Sequence, residues 1–310
     1  MEGKQFTDLT KASVLKDSDI IAVHDGNGLK KSSMGDVTTY MSDKFSNPNL
    51  LINPDFKINQ RGATRYESDT GTTTKNVYSV DRWSLYGHKL AVNSDKSITL
   101  TPTSYSNGTF SQILEDAVEG DVTIQVYVAG ISGSATVLVT QSDGKATSTI
   151  GNLKNGLNIF HFNKGIKKLY IRALSGTLTL KYAKLEQGSI ATPFVVPNPA
   201  EELTKCERFL LIMPSSMVGY RYSAFIYVSV EKLKNMRING SCLIIGKNND
   251  TSLLINTEGQ GGVSIGAGTN VDKDKKFIRI EATNISETIK NKVLAVDMND
   301  TIIIIDAEIY

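Results

Sequence analysis

The sequence contains few of the residues on which several common classes of function depend. Its 310 residues include two cysteines and three histidines, and the formal net charge is +2. The two cysteines, Cys206 and Cys242, are too few for a disulfide scaffold or a cysteine-based metal centre. A net charge this small gives no broad field that would attract nucleic acid or an anionic membrane surface. We therefore expect no nucleic-acid partner.

Long apolar segments are also missing. Apolar runs such as Ile302–Ile305 have the length of a strand, far short of the roughly 20 residues of a transmembrane helix. The segment Met1–Asp8 has no apolar stretch of the kind that a secretory signal needs. These features predict a protein that is made in a cytoplasm and does not insert into a membrane.

Patterns typical of catalysis are scarce. The histidines stand in separate strand or turn contexts, without the spacing of a metal site. The carboxylates of Glu115, Asp116 and Glu119 could supply a glycosidase pair, but this run is more typical of a surface turn. A Ser-His-Asp triad is not excluded by sequence, because its members need not be neighbours along the chain. We assign no catalytic residue and predict that the protein is not an enzyme.

Residues 47–196 are dominated by segments typical of strands. These segments are rich in β-branched and aromatic residues, and several alternate apolar with polar positions. Turn sequences such as Ser142–Lys145 and Ser175–Thr177 separate them. The predicted strands are Ser97–Thr101, Val122–Val128, Ala135–Thr140, Leu157–Phe162, Lys168–Arg172 and Leu178–Tyr182. Six or more strands in one block predict a β-sandwich of jelly-roll type.

Residues 1–46 form a smaller predicted unit. Two strands flank the turn Asp25–Gly28, and Ser33 is expected to cap a helix with Asp36 at its third position. The helix would carry an apolar stripe formed by Met34, Val37, Tyr40, Met41 and Phe45. A unit of this size rarely buries a core alone, so the stripe predicts self-association or docking.

The remaining residues, 197–310, are predicted to begin with a short helix. Asn198 is expected to cap this helix, with Pro199 as its first residue, after a proline-stiffened linker. Leu203 and Cys206 follow at helical spacing. We expect this helix, like the first one, to need partners outside the chain. From Tyr220 onward strand-like segments return, which predicts a C-terminal β-sandwich. The whole chain is therefore predicted to be mainly β.

Three stretches together resemble phage and prophage tail-fibre and receptor-binding proteins that contain a sandwich similar to carbohydrate-binding modules. The stretches are Leu15–Lys31, then Asn49–Gly62 with Tyr78–Trp83, then Ala183–Phe194 with Ala200–Phe209. The resemblance implies a trimeric virion or tail-like-particle component that is made in the bacterial cytoplasm. It further implies that an N-terminal segment binds tail or baseplate proteins and that a C-terminal tip faces the host.

The function implied by this resemblance is non-catalytic binding of host cell-surface carbohydrate. Two alternatives remain open from the residues alone. One is a depolymerase that cleaves surface polysaccharide, and the other is a purely structural tail or baseplate component. Well-placed acidic pairs in a cleft would favour the first, and a tip without ligand affinity would favour the second.

Two groups of residues are candidates for ligand binding. Tyr220, Arg221 and Tyr222 combine aromatic rings with a guanidinium group, a composition enriched at recognition surfaces, although they could equally begin a core strand. Trp83 could stack on a sugar ring. The alternative for Trp83, a central core position in the sandwich, is favoured because it opens an alternating strand.

A structural calcium ion is a further candidate ligand, and we assign no other cofactor. Asn53, Asp55 and Glu186 carry oxygen atoms near the two ends of the predicted sandwich, and Ca²⁺ prefers such hard oxygen ligands. The fold that this block resembles often holds calcium there. The alternative is that these side chains cap turns, because no spaced calcium-loop motif is present.

Overall fold

The structure is a computed structural model in which strands predominate. It describes residues 16–24, 26–68, 76–103 and 108–212 continuously. Beyond them it describes shorter segments, namely residues 216–222, 225–230, 236, 241–245, 252–256, 263–265, 270–272, 277–283, 293–297 and 302–306. Among the described residues, no helix has the length and apolar character that crossing a bilayer requires.

The N-terminal unit is a hairpin followed by a helix, as predicted. Strands β1 (Ile20–His24) and β2 (Leu29–Ser33) pair antiparallel, and helix α1 spans Met34–Lys44. The Ser33 hydroxyl accepts from the Asp36 backbone N–H at 3.0 Å, and the Asp36 carboxylate accepts from the Ser33 N–H at 2.8 Å. This reciprocal capping box confirms the predicted start of the helix.

The central block consists of ten strands. They are β3 (Arg65–Glu67), β4 (Val77–Tyr78), β5 (Ser84–Tyr86), β6 (His88–Val92), β7 (Ile98–Pro102), β8 (Thr109–Val118), β9 (Val122–Thr140), β10 (Thr147–Asn152), β11 (Gly156–Phe162) and β12 (Ile166–Gln187). The long strands β9 and β12 pair with each other over most of their length. Each of these two strands belongs to both sheets, because its N-terminal and C-terminal halves pair with different strands along its other edge.

The two sheets follow from the register of these pairs. In one sheet the order is β10–β9–β12–β8–β5–β4, through the C-terminal half of β9 and the N-terminal half of β12. In the other it is β11–β9–β12–β7–β6–β3, through the opposite halves. Buried apolar side chains from both sheets form one continuous core. The predicted β-sandwich is therefore confirmed.

Two paired glycines mark the place where β9 and β12 pass between the sheets. Gly133 and Gly176 lie opposite each other, with φ angles of +96° and +67°. A Cβ atom on Gly176 would overlap the carbonyl oxygen of Ser132. The prediction of a turn at Ser175–Thr177 is wrong, as are the two separate strands predicted within each of β9 and β12. Both strands continue through the paired glycines, and a register shift of the kind that marks a bulge lies nearby, between Ala173 and Ser175.

The centre of the core is a group of aromatic rings. The Trp83 and Phe110 rings stack with centroids 4.7 Å apart and an interplanar angle of 10°. The Phe56 ring meets the Trp83 ring edge-on, with centroids 5.2 Å apart. All three side chains are buried. These rings fill the space between the two sheets near β5 and β8.

Helix α2 (Pro199–Glu207) and strand β13 (Leu210–Ile212) follow the sandwich. The Asn198 side chain accepts from the Ala200 N–H at 2.9 Å, so the predicted cap is confirmed. Cys206 is fully buried, and the Arg82 guanidinium lies 3.7 Å from the centroid of the Phe209 ring. The expectation that α2 lacks partners within its own chain is therefore wrong.

The C-terminal strands form further sheets. They are β14 (Ser216–Tyr222), β15 (Phe225–Ser229), β16 (Ser241–Ile245), β17 (Ser252–Asn256), β18 (Val263–Ile265), β19 (Asn270–Asp272), β20 (Phe277–Thr283), β21 (Val293–Asp297) and β22 (Ile302–Asp306). A sheet of order β13–β22–β16 lies beside a second sheet of order β15–β14–β21–β17–β18–β20–β19. In the second sheet β15 also pairs with β20, so six of its strands form a closed circuit.

Candidate functional site

The register of three C-terminal strands brings a row of large polar and aromatic residues together. Tyr220 of β14 lies opposite Tyr227 of β15, and Tyr227 lies opposite Arg279 of β20. Two residues further along β14, Tyr222 lies opposite Phe225. Residues directly opposite each other in an antiparallel sheet share a face. These positions therefore lie on one face of the sheet.

The other face of the same strands belongs to the protein core. Ile226, Val228, Ile278 and Ile280 alternate with the row and are fully buried. By contrast, the Tyr220 side chain is 42% exposed, and the Phe225, Tyr227 and Arg279 side chains are half-buried. A sheet with one buried face and one open polar face gives this alternation.

We call the set Tyr220, Phe225, Tyr227 and Arg279 the tip face. Within it, the Arg279 guanidinium carbon lies 4.6 Å from the centroid of the Phe225 ring. This stacking orients the guanidinium, whose N–H groups remain donors in the plane of the group. The tip face thus combines aromatic surfaces, phenol hydroxyls and a positioned cation.

The predicted binding triplet Tyr220, Arg221 and Tyr222 lies within strand β14. Tyr220 and Tyr222 occupy register positions on the tip-face side of β14. Arg221 lies opposite the buried Ile226 and therefore belongs to the other face of the strand. Register positions alternate between the two faces of a strand, and the role of all three residues in ligand binding stays a prediction. Arg279, which sequence reasoning missed, lies opposite Tyr227.

Chemically, the tip face suits a ligand that is rich in hydroxyl groups and has apolar C–H surfaces. Tyrosine rings pack against such surfaces, and their hydroxyls both donate and accept hydrogen bonds. Tyrosine also loses little conformational freedom on binding, because it has two rotatable side-chain bonds. A guanidinium adds several donors in a fixed geometry.

Trp83 occupies the core rather than the surface. Its side chain has no exposed area, and its indole N–H donates to the Asn53 carbonyl oxygen at 2.9 Å. Because a sugar ring cannot reach a residue between Phe56 and Phe110, Trp83 is not a stacking platform in this structure. Of the two alternatives drawn from the sequence, the core position is the one observed.

The candidate calcium ligands Asn53 and Asp55 are used within the chain. The Asn53 side-chain oxygen accepts from the Ile58 N–H at 2.9 Å, and its amide donates to the carbonyl oxygens of Ile58 and Asp81. The Asp55 carboxylate pairs with the Lys57 ammonium at 2.7 Å. Among the described residues, no group of three or more His, Cys, Asp or Glu side chains could hold a metal ion.

The third candidate ligand, Glu186, binds a cation that the chain supplies itself. The ammonium nitrogen Nζ of Lys184 lies 3.1 Å from the Glu186 carboxylate, and both side chains are almost fully buried. The same nitrogen contacts the Ser46 hydroxyl (3.1 Å), the Thr192 hydroxyl (2.6 Å) and carbonyl (3.0 Å), and the Pro193 carbonyl (3.0 Å). We call this arrangement the ammonium cage. Its oxygens surround a lysine, so the calcium prediction does not fit these residues.

The acidic run from Glu115 to Glu119 was predicted to be a surface turn, and this is wrong for its first part. Glu115 lies within β8 and pairs with Arg208 at 2.8 Å. Sequence reasoning also overlooked the segment Gly262–Gly266, which fits the Gly-x-Ser-x-Gly pattern of nucleophile elbows. Its Ser264 lies in strand β18, between β17 and β20, and not at a strand-to-helix turn.

No protein-family model matches the chain, and no curated protein matches it. Among solved structures, a family 29 carbohydrate-binding module has 13% identity, with 36% of this chain and 83% of that chain covered and a TM-score of 0.28.

Two alanine variants of such a module give similar values. The variant complexed with cellulohexaose has 11% identity, covers 46% of this chain and 89% of its own, and has a TM-score of 0.29. Another variant has 15% identity, covers 44% of this chain and 100% of its own, and has a TM-score of 0.30. Overlaps of this extent do not establish a common fold or function.

Proposed function

We propose that this chain is a receptor-binding protein of a phage tail or a phage-derived particle and that it binds host cell-surface carbohydrate without cleaving it. The observation that carries the proposal is the tip face, where the partly exposed Tyr220 lies in register with Tyr227 and Arg279. For this chain, the proposal depends on the tip face and on the resemblance of the three sequence stretches.

The tip face supports sugar binding through both its chemistry and its position. Its aromatic rings offer flat surfaces to sugar C–H groups, and the Arg279 guanidinium offers donors to ring hydroxyls. The Ile226 side of the same strands is buried, so the sheet itself holds these residues in place. Recognition sites on rigid elements keep their geometry better than sites on loops.

The N-terminal unit supports the assignment to a particle. Apolar side chains of the hairpin and α1 remain exposed, including Leu29 (76%), Tyr40 (63%) and Phe45 (63%). In the proposal this surface binds other copies of the chain in a homotrimer and the tail or baseplate proteins. Three weak carbohydrate sites in one trimer would then act together through avidity.

The proposal is tested by applying the full chain to an array of bacterial surface polysaccharides. We expect binding to a restricted set of glycans, reduced by Tyr220→Ala (42% exposed) and unchanged by Leu157→Ala, which removes a similarly exposed side chain (49%) from β11 of the sandwich. Chromatography of a bound polysaccharide after incubation should show its original chain length. Shortened chains would support a depolymerase, and a chain that binds no glycan would support a structural component.

A further inference from the structure

A groove on the outer surface of the sandwich has the features of a second binding site. It has a volume of about 320 Å³ and lies where the β6–β7 turn, β12 and the linker before α2 meet. We call it the lysine groove, after Lys57, Lys96 and Lys181 in its lining. Its apolar wall is formed by Tyr182 and Phe194. The volume falls within the range of small-ligand sites.

The aromatic wall of the lysine groove is built as a rigid unit. The Tyr182 and Phe194 rings stack with centroids 4.0 Å apart and an interplanar angle of 6°. The Tyr127 ring supports Tyr182 from the neighbouring strand, with centroids 5.4 Å apart. Burial, and to a smaller extent the nearby Tyr127, raises the pKa of the Tyr182 hydroxyl above its ordinary value. The hydroxyl therefore stays protonated and can donate a hydrogen bond.

The ammonium cage fixes the position of this wall. Thr192 and Pro193, the two residues before Phe194, both contact the buried Lys184 ammonium. The Gln125 side chain also donates to the Thr192 carbonyl oxygen at 2.7 Å. The linker therefore lies against the sheet with several buried polar contacts, and Phe194 is held beside Tyr182 before any ligand arrives.

Three lysines and two aspartates line the groove, so one positive charge is in excess. The Lys57 ammonium is already paired with Asp55 at 2.7 Å. The Asp95 carboxylate accepts hydrogen bonds from the Ser97 hydroxyl and backbone N–H, at 2.6 and 3.0 Å. Within the described part of the chain, neither Lys96 nor Lys181 has a carboxylate at ion-pair distance. Two exposed ammonium groups therefore stand beside an aromatic wall.

We propose that the lysine groove binds an acidic sugar unit, namely a sugar ring that carries a carboxylate or a phosphate group. The ring packs against Phe194 and Tyr182, and the anionic group is bound by Lys96 and Lys181. A neutral sugar would leave the excess positive charge of the groove without a counter-charge, and a bare anion would leave the aromatic wall uncovered. This inference builds on the proposed carbohydrate-binding function and specifies a second site with its own ligand chemistry.

The experiment measures binding of the full chain to three polymers: polygalacturonate, a phosphodiester-linked sugar polymer, and neutral dextran. The test variant is the double substitution Lys96→Gln/Lys181→Gln. Its matched control is Lys145→Gln/Lys154→Gln, which removes the same charge from exposed positions of the sandwich outside the groove. Circular dichroism melts verify that both variants are folded.

We expect at least one acidic polymer to bind more tightly than dextran. The double groove variant should weaken that binding by about tenfold or more, which corresponds to about 1.4 kcal/mol, and the control should leave it unchanged. The preferred acidic polymer distinguishes carboxylate from phosphate recognition. Phe194→Leu should also weaken binding, because a leucine keeps the apolar contact but offers no flat ring.

Several outcomes would overturn the groove assignment. They are equal binding of dextran and both acidic polymers, failure of all three to bind, unchanged affinity in the double groove variant, and an equal loss in the control pair. Tyr220→Ala separates the two proposals, since it alters the tip face alone. If only Tyr220→Ala reduces binding, the tip-face proposal stands and the groove proposal fails. If only the double groove variant reduces binding, the groove proposal stands and the tip-face proposal fails.

Discussion

At the scale of single residues, the buried Lys184 ammonium is expected to stabilise the sandwich strongly. Lys184→Met removes the cation and leaves the Glu186 carboxylate buried without a charge partner. Breaking a buried pair in this way typically costs about 3–5 kcal/mol of unfolding free energy. Urea denaturation of the variant should show a loss of this size.

The double variant Lys184→Met/Glu186→Gln is the matched control for this prediction. It removes both charges, so it should recover part of the lost stability. Addition of EDTA to the wild-type protein should leave its melting temperature unchanged, because the cation in the cage is an ammonium. A melting temperature that falls in EDTA and returns with Ca²⁺ would contradict the account of the cage.

His88 should make the sandwich less stable in acid. The imidazole is fully buried, and its two nitrogens lie 3.0 Å from the carbonyl oxygens of Tyr86 and Ala173. Burial outweighs the carbonyls, which favour the charged ring, and holds the pKa of His88 below its ordinary value of 6.5. The unfolded chain therefore takes up a proton at a higher pH than the folded chain does.

The sign of the pH effect follows from this difference. The contribution of a neutral His88 is complete above pH 6.5 and decreases as the pH falls below 6.5 towards the pKa in the folded protein. Urea unfolding across that range should show a smaller decrease for His88→Gln than for the wild type. An identical slope for His88→Gln and the wild type would contradict the proposed role of His88.

The limits of sequence reasoning about the site are also clearest at single residues. Tyr220 was chosen as a candidate from its residue type, and its position on an open face became visible only from the pairing of β14 with β15. Arg279 was missed because its position beside Tyr227 depends on pairing between strands that are distant along the chain. Lys184 was missed for the same reason, since its oxygen partners come from Ser46 and from the linker.

At the scale of secondary-structure elements, strand β12 should tolerate no side chain at Gly176, where it pairs with Gly133 of β9. Gly176→Ala would place a Cβ atom onto the Ser132 carbonyl oxygen. The matched variant Gly144→Ala has a similar φ angle, +74° against +67°, but open space around it. Both variants should lose stability because alanine disfavours a positive φ angle. Only in Gly176→Ala would the new methyl group also overlap an atom of the paired strand β9.

The two glycine variants should therefore differ in thermal stability. We expect Gly176→Ala to lose about 1–3 kcal/mol more than Gly144→Ala, the usual cost of forcing extra atoms into packed structure. Equal melting temperatures for the two variants would mean that the paired strands can separate at this point without cost, and the continuous β12 strand would then be in question.

Elements whose signals are local were predictable from the sequence. The capping residues Ser33 and Asn198 act within one helical turn, so their roles could be inferred directly. The continuity of β9 and β12 could not, because a Ser-Gly-Thr sequence is equally compatible with a turn and with a bulge. The pairing partner decides between them, and pairing partners are not local information.

At the scale of the whole molecule, the account predicts a homotrimer that is held together in part by α1. Met41 and Phe45 are exposed in the single chain, at 46% and 63%. The double substitution Met41→Glu/Phe45→Glu would place two charges in an apolar contact and should shift the protein towards monomer. Sedimentation velocity measures this shift directly.

The control for the oligomeric state is Val195→Glu, which changes an exposed apolar residue of the linker. It should leave the trimer intact. A wild-type chain that sediments as a monomer at all concentrations would contradict the trimer, and an unchanged trimer in the α1 variant would place the contact elsewhere.

The central claim for the molecule is that its tip face binds carbohydrate. Isothermal titration calorimetry with an array-positive polysaccharide tests it most directly, comparing the full-length wild type with Tyr220→Ala. The account predicts an affinity loss of about tenfold or more, equal to about 1.4 kcal/mol, because an aromatic contact with the sugar is removed. An unchanged Kd, with both proteins equally folded, would contradict the claim and place recognition outside the tip face.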